Sequence, residues 1–419
     1  MTTTINNEHK KLNVPNLRFP EFEDEWRKYK VSDLLEFFST NSLSWDKLEY
    51  DTDNMQNLHY GLIHVGLPTM VDLKNDKLPN IPTTNQPKNY TLCKEGDVAF
   101  ADASEDTNEV AKAIEFYNLD GKEVVCGLHT IHGRDKCDIT LPGYKGYAFS
   151  SIQFHNQIRR IAQGTKIYSI NSKNFSECYI GVPSKEEQAK IAKLLHLIDK
   201  RIATQNKIIE DLKKLKCAII EKVLNDSYYD NLRLGDVGSY IRGLTYNSND
   251  VVVYAGTLVM RSNNIVNGSS LDYKNNVVSV NKQISQEQQL QKGDIVICMA
   301  NGSSTLVGKS SFYDGKCSFP ITVGAFCGIY RSKMPVTKWL FQTNRFRRYI
   351  WKSLQGGNGA IANLNGEDIL RMQFPIPDKQ TAERCTKLLS SLDSLIESDV
   401  SLCSKYSQQK EYLLCQMFI

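Results

Sequence analysis

The chain has 419 residues, a formal net charge of +4 and 23% charged residues. This length exceeds what one hydrophobic core normally organises, and it fits two domains plus additional helices. The mild charge excludes a strongly basic nucleic-acid-binding tail, although it is compatible with one basic face. No apolar run reaches the roughly 18 residues that a membrane span requires, so we expect a cytoplasmic protein without a membrane partner. Eleven cysteines without a regular framework predict reduced thiols.

The predicted elements form two blocks, each followed by a long helix. Residues 1–15 are polar and are predicted to form a flexible lead. A first globular block at 16–183 contains short β-prone segments interrupted by glycine, and a long helix is predicted at 184–226. A second block at 227–377 and a second long helix at 378–419 repeat this plan. The sequence therefore predicts an α+β fold, in which two domains of mixed β-sheet and short helices are separated by two long helices.

An internal repeat is the clearest pattern in the chain. The stretch that begins at Asn171 and enters the first long helix recurs from Asn365, at a numbering offset of 194 and without a gap. Both helices have an apolar seam with spacings of three and four residues, which is typical of coiled coils. Polar residues interrupt the two seams at equivalent places, and such positions commonly fix helix register. We predict that the helices pair as an antiparallel coiled coil with pseudo-two-fold symmetry. The polar interruptions are Gln205 with Asp399 and Lys216 with Lys410.

Each long helix also has a start signal. Ser184 and Glu187 form a predicted capping box, in which side chains and backbone satisfy each other's unpaired groups. Asp378 is predicted to cap the second helix, although Thr381 replaces the acidic residue of a capping box. At about 1.5 Å per residue, a helix of about 40 residues is a rod about 60 Å long. Such a rod is typical of a spacer.

Two short motifs resemble enzymatic or metal sites but have the wrong spacing. Gly302 and Gly308 in NGSSTLVGKS enclose one residue more than a phosphate-binding loop allows. An HxxH motif at residues 129–132 lies between two cysteines, Cys126 and Cys137, but this order matches no usual zinc pattern and is absent from the second block. We therefore expect no metal site and no nucleotide site. The chain also lacks an Asn-Pro-Pro-aromatic tetrapeptide and a glycine-rich cofactor turn, so we expect a non-catalytic protein.

Several segments together carry a family resemblance. They are the opening VPNLRFPEFEDEW, the strand entries KEGDVAF and QKGDIVI, the helices VPSKEEQAKIAKLLHLIDKRI and IPDKQTAERCTKLLSSLDSLI, and the terminus KEYLLCQMF. In these segments the chain resembles the DNA specificity subunit of type I restriction-modification enzymes, from about Asn13 onward. The resemblance implies that each block is a target-recognition domain for one half of a split, asymmetric site in double-stranded DNA. The long helices would set the distance between the half-sites.

The resemblance also implies partners. Two modification subunits would bind the helices, carry S-adenosylmethionine and methylate adenine N6. Restriction subunits would add ATP- and magnesium-dependent translocation and cleavage of DNA. This chain is then expected to hold no cofactor and to direct where its partners act.

Side chains that read bases are expected in the polar loops of both blocks. Arginine and lysine suit guanine, and asparagine and glutamine suit adenine. The segments LIHVG and VMRSNN follow comparable strands, which pairs His64 with Arg261. Arginine pairs in two later helices are predicted to contact phosphates or to form surface salt bridges. The predicted DNA-binding residues are His64, Arg134, Lys136, Tyr144, Lys145, Arg159 and Arg160 in the first block, and Arg242, Tyr246, Arg261, Asn263, Asn264, Ser303, Ser304, Lys309, Arg347 and Arg348 in the second.

Apolar residues outside the seams widen the apolar stripe beyond what two helices need. We therefore predict that the helices bind further subunits. The predicted subunit-binding residues are Leu194, Leu197, Ile208 and Leu215 on the first helix and Leu388, Leu395 and Leu402 on the second.

Two other functions remain open from the sequence. A coiled-coil scaffold with two protein-binding domains would account for the helices, and it would lack salt-dependent affinity for DNA. A nucleotide hydrolase built on Gly302–Ser310 would bind ATP. Neither explains why the loops differ while the frame repeats. An alternate specificity chain, exchanged by recombination at one locus, is equally compatible with the sequence.

Overall fold

The computed structural model describes residues 13–225, 228–253, 256–354 and 362–419. The chain divides into two compact units: Met1–Gln205 with Leu402–Ile419, and Asn206–Ser401. Each unit therefore contains one globular block and segments of both long helices. The predicted flexible lead lies outside the described residues except for 13–15. There the carbonyl of Asn13 accepts a hydrogen bond from the amide of Trp26.

The first unit contains eleven of the described strands. They are β1 Arg27–Lys30, β2 Leu35–Phe38, β3 Gln56–Leu58, β4 Met70–Asp72, β5 Val98–Ala101, β6 Ala103–Ser104, β7 Ala113–Asn118, β8 Val124–Cys126, β9 Thr130–Asp135, β10 Tyr168–Ser169 and β11 Tyr179–Val182. The short helices are α1 Val31–Leu34, α2 Tyr60–His64, α3 Lys145–Phe149, α4 Ile152–Ile161 and α5 Ser172–Ser176. The first long helix is α6, Lys185–Val223.

A five-stranded mixed sheet organises the first unit, in the order β2-β9-β5-β7-β4. Its central strand β5 has the sequence VAFA, and all four residues are buried. Phe100 of β5 packs edge-on against Phe149 and Phe175, with ring centroids 4.9 and 4.8 Å away. This aromatic cluster joins the sheet to the short helices, because α3 ends at Phe149 and α5 contains Phe175.

The second unit has the same plan with different loops. Its strands are β12 Asn231–Arg233, β13 Gly238–Arg242, β14 Val251–Val252, β15 Thr257–Met260, β16 Val278–Val280, β17 Ile295–Cys298, β18 Ala300–Asn301, β19 Ser310–Phe312, β20 Ile321–Val323, β21 Cys327–Ser332, β22 Ala362–Asn363 and β23 Gln373–Pro375. Its short helices are α7 Leu234–Val237, α8 Thr337–Leu340, α9 Asn344–Leu354 and α10 Gly366–Arg371. The second long helix is α11, Lys379–Gln416. Two four-stranded sheets form, in the orders β13-β21-β17-β19 and β14-β16-β15-β20.

The strand register shows that the two units share one frame. In the first unit β5 pairs Val98 with Gly133 of β9. In the second unit β17 pairs Ile295 with Tyr330 of β21, and both partners stand at the same numbering offset, 197, from their counterparts. The repeat therefore extends into the sheets, with a slightly different offset from that of the helices.

Both long helices lie where the sequence predicted them, and their pairing is confirmed in each unit. In the first unit, Asp199 of α6 forms a salt bridge of 2.6 Å with Lys410 of α11. In the second unit, Lys216 of α6 forms a salt bridge of 2.6 Å with Asp393 of α11. The two salt bridges are equivalent, because Asp393 lies 194 residues after Asp199 and Lys410 lies 194 residues after Lys216. In the first unit the aspartate lies on α6, and in the second unit it lies on α11. Early residues of one helix thus meet late residues of the other, so the pairing is antiparallel.

The helix starts differ in one detail from the prediction. The amide of Glu187 donates to the Ser184 hydroxyl at 3.3 Å, as a capping box requires. The carboxylate of Glu187 instead binds Arg18, at 2.8 and 2.7 Å, and the indole N–H of Trp26. Arg18 and Trp26, which are distant in sequence, therefore bind the carboxylate that would bind a local backbone amide in a complete capping box. Asp378 caps α11 as predicted, accepting the amide of Thr381 at 3.1 Å.

Candidate nucleic-acid interface

A cleft of about 590 Å³ in the second unit contains three of the predicted DNA-binding residues. Tyr246, Arg261 and Asn263 line it, together with Asn301 and the exposed ring of Phe326. The lining residues come from segments that adjoin β15, β18 and β21. The frame of the unit therefore brings together side chains that are far apart in sequence.

A short turn after β15 presents the polar residues of this cleft. Asn264 accepts a hydrogen bond from the amide of Arg261 at 2.9 Å and donates to the carbonyl of Asn275 at 2.8 Å. Its side chain is thereby used inside the unit, and the residue is 1% exposed. The prediction that Asn264 contacts DNA is therefore wrong. Asn264 holds the turn that leaves Arg261 and Asn263 accessible.

The chemistry of the cleft suits nucleobases. The guanidinium of Arg261 donates to the carbonyl of Asn276 at 3.1 Å, which orients the group while using one of its five N–H donors. Asn263 offers an amide of the kind that reads adenine, and an arginine can read guanine. Phe326 is 66% exposed and presents a face on which a base can stack. Phe326 was not predicted from the sequence. It lies 197 residues after His129, which is the offset that relates the strands of the two units, so the repeat could have indicated it.

The first unit places a different set of side chains at the equivalent position. His64 corresponds to Arg261 by the offset of 197, as the sequence pairing anticipated. Its Nε2 atom lies 3.0 Å from the carbonyl oxygen of Ala103, and its Nδ1 atom lies 3.6 Å from the Glu109 carboxylate. His129 corresponds to Phe326 and lies 3.1 Å from Asp102. The same frame therefore carries imidazoles and carboxylates where the second unit carries an arginine and a phenylalanine.

Aromatic rings surround the histidines of the first unit. The ring of Tyr60 is 5.2 Å from that of His129 and 5.9 Å from that of His64. Trp45 packs on His59 with ring centroids 4.3 Å apart. The Nδ1 atom of His59 accepts the amide of Gly61 at 3.2 Å and so caps α2, the helix that ends at His64. Burial lowers the pKa of His59, and the nearby His129 lowers it further, which favours the neutral ring that can accept this bond.

Three predicted contacts in the first block are used inside the unit. Tyr144 is 0% exposed and donates its hydroxyl to the carbonyl of Gly181, and Lys145 is 1% exposed and forms a salt bridge of 3.3 Å with Glu115. Neither side chain can reach DNA in this structure, so both predictions are wrong. Arg134 binds the carboxylate of Asp97 with two hydrogen bonds, and its counterpart Arg331 binds Asp294 in the same way in the second unit. This repeated ion pair belongs to the shared frame rather than to a reading surface.

The other predicted polar residues lie at the surface. Lys136 is exposed and donates to the carbonyl of Ser32. Arg159 hydrogen-bonds the side chains of Asn108 and Asn156, and its contact with a phosphate stays a prediction. Ser304, Lys309 and Arg347 line a second cleft of about 710 Å³ beside the exposed Trp351. The remaining exposed residues are Arg160, Arg242, Ser303 and Arg348.

The predicted subunit-binding faces are largely exposed. Two of the seven residues, Leu194 and Leu402, are partly buried. The other five leave between 42% and 55% of their area accessible, which is unusual for large aliphatic side chains in repeated positions. These five are Leu197, Ile208, Leu215, Leu388 and Leu395.

The glycine-containing loop does not form a phosphate site, and the candidate ligands of the HxxH segment do not share one environment. In the glycine-containing loop, the amides of Val307, Gly308 and Lys309 all donate to backbone carbonyls, so they do not converge on a phosphate. In the HxxH segment, His132 and Cys126 are buried whereas Cys137 is exposed. Among the described residues, no helix is both long and apolar enough to cross a membrane.

Comparison with known proteins agrees with this frame. A family model described as a type I restriction modification DNA specificity domain matches residues 23–214. Over these residues the chain is similar to this family. It is 31% identical over 168 residues to the type I restriction enzyme StySPI specificity subunit of Salmonella potsdam. It is 30% identical over 171 residues to the type I restriction enzyme EcoKI specificity subunit of Escherichia coli K12. Each alignment covers 38% of this chain but only 35% of the relative's own length.

A solved structure extends the fold assignment along the chain. The S subunit of a type I restriction-modification system from M. genitalium aligns with a TM-score of 0.59 and 14% sequence identity. The alignment covers 97% of this chain and 99% of that one. This likeness concerns the fold, and it extends over both globular blocks and both long helices.

Proposed function

We propose that this protein is the non-catalytic DNA-recognition subunit of a type I restriction-modification complex. Each unit would read one half of a split, asymmetric target, and the complex would methylate adenine N6 and cleave DNA through partner subunits. One observation carries the proposal: the two units share a strand register at an offset of 197, yet present different side chains at equivalent positions. A repeated frame that carries two different sets of polar side chains suits two different half-sites.

The long helices would have two roles in this function. Their paired seams would set the spacing between the half-sites, and their exposed leucines would bind two modification subunits. S-adenosylmethionine, ATP and magnesium would then be held by the modification and restriction partners. The similarity of residues 23–214 to the specificity-domain family and the exposed apolar faces of α6 and α11 support this division of labour.

The test is methylation mapping with the full chain and its modification subunit. The reconstituted complex should methylate adenines only within a two-part sequence, and replacing residues 16–183 with the first block of a relative should change one half of that sequence. Uniform methylation, or a change in both halves, would contradict the two-reader model. The competing function is a protein-binding scaffold. A scaffold should lack the DNA affinity, weakened by rising salt, that a DNA-binding protein shows.

A further inference from the structure

Three side chains that commonly bind metals meet in the interior of the first unit. The sulfur atoms of Cys93 and Cys126 are 3.6 Å apart. These sulfurs and a ring nitrogen of His132 all lie within 4.8 Å of one another. The three residues are 5%, 2% and 0% exposed, and both cysteines are free thiols. The sequence did not predict this group, because Cys93 lies on a separate segment from the HxxH motif.

Hydrogen bonds fix the imidazole ring of His132 in the way that is common for metal-binding histidines. Its Nε2 atom lies 2.7 Å from a carboxylate oxygen of Asp97, and that carboxylate also receives two hydrogen bonds from Arg134. Burial alone would raise the pKa of Asp97, but the bonds from His132 and Arg134 outweigh it and lower that pKa. Because the Asp97 carboxylate is held by Arg134 as an acceptor, it accepts the hydrogen bond from Nε2–H of His132. A carboxylate that holds the far side of an imidazole in this way is typical of metal-binding histidines.

The other ring nitrogen has no partner. Nδ1 of His132 is buried and makes no hydrogen bond among the described residues. Leaving a buried polar atom unpaired is destabilising. When Nε2–H donates to Asp97, the free lone pair of the ring is the one on Nδ1, and this is the atom available to a cation.

The second unit shows that the frame does not need these three residues. At an offset of 197, Cys93, Cys126 and His132 are replaced by three buried aliphatic residues that belong to one core cluster. One backbone hydrogen bond is kept: the amide of Cys93 donates to the carbonyl of Val124, and the amide of Leu290 donates to the carbonyl of Ile321. The replacing residues are Leu290, Val323 and Ile329. Two thiols and an imidazole therefore stand in the first unit where ordinary core packing suffices in the second.

We propose that Cys93, Cys126 and His132 form a binding site for a thiophilic divalent cation of the Zn²⁺ class. Two thiolates and an imidazole are a donor set that zinc accepts, and three protein ligands leave one coordination position open. With zinc–sulfur bonds of about 2.3 Å, tetrahedral geometry places two sulfurs about 3.8 Å apart, close to the observed separation. Binding would form two metal–sulfur bonds and one metal–nitrogen bond and release two thiol protons to solvent, so the two thiolates balance the charge of the cation.

The apparent affinity should rise with pH, because the cation competes with protons for the two thiolates. A bound cation would link the segment before β5, the end of β8 and the middle of β9. His129 lies three residues before His132, so the site would stabilise the backbone that carries His129 in the first unit.

The test uses the full chain, reduced and freed of metal with a chelator, and titrated with Co²⁺ and then Zn²⁺. We expect one Co²⁺ per chain with thiolate-to-cobalt charge-transfer absorption, displacement by Zn²⁺, and release of two protons on Zn²⁺ binding. The triple variant C93L/C126V/H132I installs the residues of the second unit. It should remain folded, lose this absorption and bind Zn²⁺ at least about 100-fold more weakly.

Matched variants make the result decisive. C298V/C327V removes two buried cysteines that are paired neighbours on β17 and β21. Within the described part of the chain they belong to no metal-ligand cluster, so this variant should bind the cation like the wild type. The single variant H132Q should lose tight binding and serves if the triple variant does not fold. Absence of the cobalt–thiolate absorption in the wild type would overturn the proposal. Unchanged affinity in C93L/C126V/H132I or in H132Q would also overturn it.

Discussion

The buried ion pair in the second unit yields a quantitative prediction about helix pairing. The carboxylate of Asp393 lies 2.6 Å from Lys216 and 2.7 Å from Lys338. The side chains of Asp393, Lys216 and Lys338 are 10%, 7% and 17% exposed, so water screens them poorly. Lys216 also donates to the carbonyl of Gly268 at 2.8 Å. One carboxylate therefore compensates two buried ammonium groups.

Asp393→Asn should be more harmful than Lys216→Met. The first change leaves two buried cations facing a neutral amide, and breaking a buried pair from one side costs about 3–5 kcal/mol. The second leaves Asp393 paired with Lys338, so we expect a loss of about 1–3 kcal/mol. Burial already lowers the pKa of Lys338, and Asp393 opposes that effect. Without Asp393 this pKa falls further. The unfolded chain then binds more protons than the folded chain, and the loss should shrink as the pH rises towards about 10.

Native-state hydrogen exchange of the full chain measures both losses. The free energy of opening should fall for amides in residues 206–223 of α6, while residues 185–205 serve as an internal reference. The charge-free triple variant K216M/K338M/D393L should restore most of the stability, because a well-packed apolar group can replace a buried ion pair. Equal losses in D393N and K216M, or a loss below about 1 kcal/mol in D393N, would refute the reasoning.

Three further outcomes test the candidate DNA-binding residues of the two units and the apolar faces of the long helices. Arg261→Ala should weaken DNA binding by about 1–3 kcal/mol and relax only the second half of the methylated sequence, as competition binding and methylation mapping would show. Neutral His59 caps α2 and its pKa is lowered below 6.5, so the cap should hold at neutral pH and fail as the pH falls through that lowered value. Preference for the first half-site should decay in acid for the wild type, and His59→Asn should remove this dependence because asparagine caps helices at any pH. Leu215→Ser with Leu388→Ser should weaken binding of the modification subunit at least about 10-fold with little change in unfolding midpoint, whereas Leu389→Ser, in the buried seam, should lower the midpoint itself.

Local signals made much of the fold predictable. The bounds of α6 and α11 follow from heptad spacing and from caps at Ser184 and Asp378, which depend only on neighbours in sequence. The short helices α5 and α10 are capped in the same way, because Asn171 and Asn365 each accept the amide three residues on. A repeat in sequence is a repeat in local geometry, so the duplicated plan could be recognised before any contact was known.

The reading residues were predicted less well, because a polar side chain does not reveal its partner. Tyr144 and Lys145 have the chemistry of DNA contacts, yet their polar atoms are satisfied inside the unit by Gly181, Thr140 and Glu115. Arg261 and Asn263 line an accessible cleft, and their contact with DNA stays a prediction. Asn264, beside them, faces inward because its amide group is bound within the turn and to the carbonyl of Asn275.

By itself, the sequence determined the duplication, the two long helices and the polar breaks in their seams, since these are periodic or nearest-neighbour properties. Tertiary structure alone decided that Lys216 meets Asp393, that Arg134 binds Asp97, and that Phe326 joins Arg261 at one cleft. Each of these contacts joins segments far apart in the chain. Which partner a charge or ring finds is settled by how the sheets and helices pack, and by the cost of burying a polar group without one.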